Sequence, residues 1–486
     1  MYDNTMTRNK ILFLLALTLA ITGCANFLDI KPAGEVIPST AEDYASLLHN
    51  IIYAIEHDDD PCVIGNVRST ENFDTMTDNF EPALAKPQAS LSFFLGSLVS
   101  VSYATRDSYG ILYQRIAQAN IIIDKTPKED SPLYTSLLTA AHTLRAICYY
   151  QLMRLYCEPP VQGKWEQQLG VPMVMHVELE EKKPRGTLAQ LITAIETDLR
   201  TAITLGANNK DFLFTANVAR AYLARHYFWS QQWAKAIPVA EELLQKYTPA
   251  NGAANTNSSQ TPEADPNLLL KANIYATADQ AQQRIRDYAA APLSREFVDL
   301  FGNNPQQDSR YQLSVSKLRT ANKYATPCLR LAEMLLIAAE AHAHLGNDAE
   351  AITHLNTLRL ARIQQATPLT KATLPPVTKG LITHDAQGKE LTPLISSILN
   401  ERRKELFMEG DRFFELKRNG RPARAFAFNG YWYQVEPFMY TFPIPPTDIY
   451  IQGPSLKQNP GYDQYTIGLP TSNNTVTPPL APTSAL

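Results

Sequence analysis

Positive charge is not in excess in this chain of 486 residues: 44 Lys and Arg stand against 48 Asp and Glu. Without a basic field nothing would hold a polyphosphate, so no nucleic acid is expected as a partner. Cysteine is scarce, five in all, and Cys62, Cys148, Cys157 and Cys328 follow no zinc-ligand spacing. Neither a metal nor a cofactor is expected. Cys148 lies in an apolar helical run and reads as a buried free thiol. After residue 24 no apolar run reaches the roughly 20 residues that a spanning helix needs. Catalytic signatures are missing too: there is no G-x-S-x-G turn, H-E-x-x-H helix, phosphate loop or dinucleotide fingerprint. His342 and His344 are two apart on a helix, hence on different faces, and read as structural or solvated. Binding without chemistry is the expectation.

What is present begins with an address. Arg8 and Lys10 precede the apolar run Ile11 to Ile21, which stops at Thr22, Gly23 and Cys24. That is a signal-peptide pattern covering residues 1–23. The ending Ile21-Thr22-Gly23-Cys24 resembles the lipobox of bacterial lipoproteins, in which the cysteine is acylated and becomes the first mature residue. An ordinary leader with a chance cysteine is the alternative. Removing Arg8, Lys10 and Asp3 with the leader leaves 42 basic and 47 acidic side chains.

Helical periodicity then runs through most of the chain: Tyr113 to Ile123, Tyr134 to Tyr156, Thr187 to Ile203, Phe214 to Trp229, Trp233 to Tyr247, Leu329 to Leu345, Ala349 to Ala361 and Leu394 to Glu409. The turn Tyr227 to Ile237 can be laid over His342 to Ile352, with Ala236 matching Ala351. Each looks like a tetratricopeptide helical hairpin, in which a small residue lets the second helix cross the first closely. Such hairpins need stacked neighbours to bury their apolar faces. The expected fold is therefore all-α, a single body over 24–468. The stretches 56–101, 250–267 and 364–392 read as irregular, and the Pro/Thr/Ser-rich end 469–486 as a disordered tail.

The densest charged segment runs from Asn400 to Leu416. Glu401, Glu405 and Glu409 recur at one-turn spacing, but helical di-metal sites add a histidine three residues after a glutamate, and none is here. Intervening arginines make an ion-pair ladder the better reading. Gly410 suits a left-handed helix end. Glu333 and Glu340, two turns apart on an apolar helix, need buried partners. The expected ones are Arg402, Arg403 or Arg412. For recognition, rings supply large contact area at low entropic cost. Trp165, Tyr431, Trp432 and Tyr433 stand off strong periodicity, with Phe73, Phe80 and Tyr103 as further candidates, whereas Trp229 and Trp233 belong to the hairpin core.

These stretches together resemble the SusD/RagB family of outer-membrane nutrient-binding lipoproteins. The resemblance rests on Cys24 followed by Phe27-Leu28-Asp29 and Pro32, on Ile116 to Ile122, Leu144-Arg145-Ala146, Leu155-Tyr156, and on Asp308-Ser309-Arg310. It continues through Leu329 to Glu333, Ala339-Glu340-Ala341, the block Asn400 to Leu416, Pro443-Ile444-Pro445, Asp448-Ile449 and Lys457 to Tyr462. It implies tetratricopeptide-like hairpins under a loop-rich ligand face. It also implies partnership with a SusC-like TonB-dependent outer-membrane transporter, and a glycan or, in some branches, a peptide as ligand. No motif marks the ligand residues. Two rivals stay open: a helical-repeat envelope scaffold with a protein partner, and a hydrolase using carboxylates between Glu56 and Asp78.

Overall fold

The computed structural model describes residues 38–86, 89, 94, 103–177, 183–246, 252, 267–272, 291–323, 325–453 and 455–462. The leader, Cys24 and the 469–486 tail lie outside the described residues, as does most of the 250–267 loop.

Local sequence explains most helices. Helix α5 (Leu188–Leu205) shows how, where α1 is Ala41–Glu56, α2 Val67–Thr75, α3 Tyr103–Lys125 and α4 Pro132–Tyr156. Thr187 accepts from the Gln190 amide while the Gln190 side chain returns to the Thr187 backbone, so two orphan amides are satisfied at once. Leu188, Leu191, Ile192, Ile195, Leu199 and Ala202 recur every three or four residues and are all buried. Each large one contributes roughly 1.5–3 kcal/mol by leaving water. The helix stops at Gly206, at φ +76°, where a side chain would be strained.

Next come α6 (Ala216–Trp229), α7 (Trp233–Lys246), α8 (Arg295–Asp299), α9 (Ser309–Ser314), α10 (Leu331–His344) and α11 (Asp348–Arg362). Helices α12 (Pro393–Glu405), α13 (Arg412–Arg418) and α14 (Pro446–Gln452) complete the set. Packing runs in series: α3 on α4, α4 on α5, α5 on α6, α6 on α7, α7 on α10, and α10 on both α11 and α12. The two overlaid hairpins are α6–α7 and α10–α11, and Ala236 and Ala351 are fully buried at their crossings. Helix α10 touches four helices, α6, α7, α11 and α12, and every residue from Leu331 to His342 is buried. The all-α, tetratricopeptide-like expectation therefore describes the chain. Six helices escaped it: α1, α2 inside the stretch that reads as irregular, and the short α8, α9, α13 and α14.

Among the described residues six strands form three two-stranded antiparallel ribbons. These are β1 (Leu169–Pro172) with β2 (Arg185–Thr187), β3 (Leu268–Lys271) with β4 (Cys328–Arg330), and β5 (Arg424–Phe428) with β6 (Tyr431–Val435). The last is closed by Asn429 at φ +49° and Gly430 at φ +81°, the two-residue turn that matches strand twist.

Several residues behind the family resemblance tie distant elements together. Arg145 makes a two-pronged bond to Asp198, at 2.8 and 2.7 Å, and reaches Asn120 Oδ1 and the Met175 carbonyl. Asn459 donates to the carbonyls of Tyr156 and Phe442 and accepts from Arg185. Gly461 must be glycine: its φ is +88°, and a Cβ there would sit 2.4 Å from Phe438.

The charged segment is buried, but its neutralisation is not local. Glu401 faces Arg310 at 2.7 Å and Lys404 at 2.8 Å, Glu405 faces Arg330 and Arg362, and Glu409 faces Arg330 and Lys323. Arg402 forks onto Asp411, Arg403 meets Glu296 and Asn79, and Arg412 forks onto Asp78. Only the Lys404–Glu401 and Arg412–Glu415 pairs are made within one turn. The expected partners of the α10 carboxylates need correction. Glu340 pairs with Arg418, and Glu333 pairs chiefly with Arg225 at 2.6 Å, with Arg402 more distant at 3.6 Å. Burial opposes ionisation of Glu401, yet Lys404 and Arg310 outweigh it and hold the carboxyl at about 2. The helix also ends at Glu405 instead of Glu409, because the Asp74 carboxylate of α2's C-terminal turn accepts the Met408 and Gly410 amides. Gly410 sits at φ +74°, in the left-handed region as expected.

Candidate functional site

A cavity of about 690 Å³ lies between α2, the C-terminal end of α4, α6 and the start of α13. That is within the roughly 300–1,000 Å³ of small-ligand sites. Aromatic rings line it, among them Phe73, Tyr150, Tyr222, Trp229 and Phe414, together with charged side chains such as Arg154, Arg225, Glu333 and Asp411. Exposed Arg68 is part of the lining and marks where the cavity meets the surface.

The rings are interleaved with arginines. The Arg154 guanidinium stands 3.5 Å from the Phe414 ring centre, with Tyr150 at 5.3 Å and Trp229 at 5.7 Å. Arg225 covers Tyr222 at 5.1 Å, and Phe228 lies between Arg402 and Arg418. Arg225, Arg402 and Arg418 are each matched by a carboxylate. Arg154 is not: its Nε has no hydrogen-bond partner among the described residues, rings surround it, and the carboxylate within its electrostatic reach, Asp411, is already bridged to Arg402. Tyr150 and Tyr222 meet edge to face at 5.8 Å, and neither hydroxyl has a hydrogen-bond partner among the described residues. Burial raises both phenols, Tyr222 to about 12, so both remain neutral hydroxyls at pH 7. The cavity therefore offers ring faces, two uncommitted hydroxyls and one uncommitted guanidinium.

The aromatic candidates from the sequence do not converge. Phe73 lines the cavity and packs on Phe414, ring centres 4.9 Å apart. Phe80 is a core residue, 2% exposed and packed near Phe407, not an exposed ring. Trp165 is partly buried against the core. The side chain of Tyr103 lies outside the described residues. Tyr431 and Trp432 stand on the β5–β6 ribbon, 58% and 38% exposed, while Tyr433 stacks on Phe426 at 5.7 Å. The turn Asn429-Gly430 between apolar runs is a hairpin signal that could have found this ribbon. Nothing comparable marks Tyr150, Arg154 or Tyr222, which share helical periodicity with the core. None of the four cysteines among the described residues is in a disulfide. Burial pushes the Cys148 thiol well up, which makes it inert.

Comparison with known proteins agrees with this architecture. Residues 291–462 match the family described as SusD family, and residues 26–228 match one described as starch-binding associating with outer membrane. A SusD-like protein of Formosa agariphila is 38% identical over 399 residues, covering 66% of this chain and 73% of the relative. The chain belongs to the SusD/RagB family. Among solved structures, a SusD superfamily protein of Bacteroides vulgatus is 20% identical, with TM-score 0.65 over 87% of this chain and 100% of that one. A laminarin-binding SusD-like protein is 16% identical, with TM-score 0.56 over 87% and 99%. At such identities the shared property is the fold. Among the described residues no helix is long and apolar enough to cross a membrane.

Proposed function

We propose that this chain is an outer-membrane lipoprotein, anchored through Cys24, that captures oligosaccharides without cleaving them and delivers them to a SusC-like TonB-dependent transporter. The observation that carries the reading is the chemistry of the cavity. Sugars present apolar C–H faces that suit rings, and hydroxyls that suit uncommitted phenol and guanidinium groups. Family membership supports it, as do the starch-binding family description and the laminarin-binding relative. The exposed Tyr431 and Trp432 offer a second, surface contact for a longer glycan or for the transporter.

The test uses soluble protein beginning at Ala25. Calorimetric titration with maltooligosaccharides and laminarin oligosaccharides should show saturable binding, with no new reducing ends after prolonged incubation. Product release would instead indicate a hydrolase. Binding of peptides but no glycan would overturn the carbohydrate assignment. Detergent pull-down from membranes should recover a large barrel protein.

A further inference from the structure

Three helices bring metal-ligating atoms to one point at the seam between the α6–α7 and α10–α11 hairpins. Glu241 Oε1 on α7 lies 3.2 Å from His342 Nε2 on α10 and 3.0 Å from His354 Nε2 on α11. The three donor atoms all lie within 4.8 Å of one another. The two imidazoles are nearly parallel, 18° apart with ring centres 5.6 Å apart. Bonds of about 2.0–2.1 Å from a tetrahedral ion place neighbouring ligands about 3.3 Å apart. The two separations from Glu241 lie close to that edge, and the two Nε2 atoms are within 4.8 Å of each other.

The surroundings are those of a ligand set. Every carboxylate of the charged segment near α12 has an arginine or lysine partner, but Glu241 has none among the described residues; only the two imidazoles face it. The Asn347 side-chain amide lies 3.2 Å from His342 Nδ1. As placed, its Nδ2 donates to Nδ1; an ion at the shared point requires the amide turned over, its oxygen accepting Nδ1–H so that the Nε2 lone pair is free for the metal. Glu241 and His354 keep side-chain exposures of 36% and 18%, so an ion has a route in. Two imidazoles and a carboxylate suit zinc and its first-row neighbours rather than calcium or magnesium. No local pattern marks it, because His342 and His354 are 101 and 113 residues from Glu241.

We propose that Glu241, His342 and His354 form a binding site for a zinc-class divalent cation that staples the two hairpins together, with water in the remaining position. A plain hydrogen-bonded cluster, in which both Nε2–H groups donate to Glu241, is the competing account. The two differ in a titration of chelator-stripped, full soluble protein with zinc sulfate, and with cobalt sulfate read by visible absorption. The expected result is one ion per chain, tetrahedral cobalt bands and a raised melting temperature. His354→Ala and Glu241→Ala should each weaken binding at least about 100-fold, with unchanged far-ultraviolet circular dichroism. Glycan affinity should not move, since the cavity residues lie elsewhere. No saturable binding at millimolar zinc would overturn the proposal. So would equal zinc affinity in the His354→Ala and Glu241→Ala proteins.

Discussion

Removing the Arg418 side chain should cost several kcal/mol, and removing its partner as well should restore most of the loss. Glu340 is fully buried on α10, and Arg418 grips both of its oxygens, at 2.5 and 3.1 Å. Burial opposes ionisation, but Arg418 and then His344 outweigh it and hold Glu340 at about 2, against an ordinary 4.5. At about 1.4 kcal/mol per unit the difference corresponds to roughly 3 kcal/mol. The folded value lies below the unfolded one. This stability is therefore complete above pH 4.5 and is lost as pH falls toward 2. Arg418→Met leaves a buried carboxylate with His344 alone and forfeits the Arg418–Phe228 contact at 4.2 Å. The expected cost at pH 7 is about 3–5 kcal/mol, as for other broken buried pairs. Arg418→Met combined with Glu340→Met replaces the pair by apolar volume and should cost less than about 1 kcal/mol. Urea unfolding followed by circular dichroism measures both. The reasoning fails if the single variant loses less than about 1 kcal/mol, or if the double variant is no better than the single.

Three further outcomes are expected. Tyr150→Phe and Tyr222→Phe should each weaken glycan binding about tenfold, the worth of one hydrogen bond, with little change in melting temperature; unaltered affinity in both would move the site out of the cavity. Cys24→Ala protein should bind glycan as wild type does yet leave the membrane fraction on cell fractionation, and continued membrane retention would exclude the acyl anchor. Burial raises Asp74 to about 7 despite the Gly410 and Met408 amides, so its protonated form is favoured in the fold. Its contribution falls as pH rises from about 4 to 7, the opposite sign to Glu340. The stability of Asp74→Asn relative to wild type should therefore improve over that range, and a pH-independent difference would refute the assignment.

Local pattern made the scaffold legible. Apolar spacing marked the hairpins, the small residues Ala236 and Ala351 marked their crossings, and Gly410 marked a left-handed turn, because each depends on residues within a few positions. The need for cations opposite Glu333 and Glu340 was legible too, since an unpaired buried charge is intolerable whatever the fold. Which cations answer was not: Arg418 is 78 residues from Glu340, and Arg225 is 108 from Glu333. The end of α12 escaped for the same reason, because the Asp74 carboxylate that captures its amides comes more than 300 residues earlier.

The candidate site belongs almost wholly to the tertiary structure. Tyr150, Arg154, Tyr222 and Phe414 carry the same periodicity as side chains that pack solidly, so no local pattern separates a ring facing a hollow from one facing a neighbour. A cavity is where surfaces of α2, α4, α6 and α13 fail to meet, a property of their arrangement and of no single element. Likewise the cluster of Glu241, His342 and His354 exists only because α7 is laid against α10 and α11. From the chain itself come the helical hairpins and the family, carried by short contiguous stretches, together with the expectation of an export leader ending at Cys24. Packing across the chain decides the ion pairs, the cavity and the metal-ligand cluster, because each joins groups that only the stacked hairpins bring within a few ångströms.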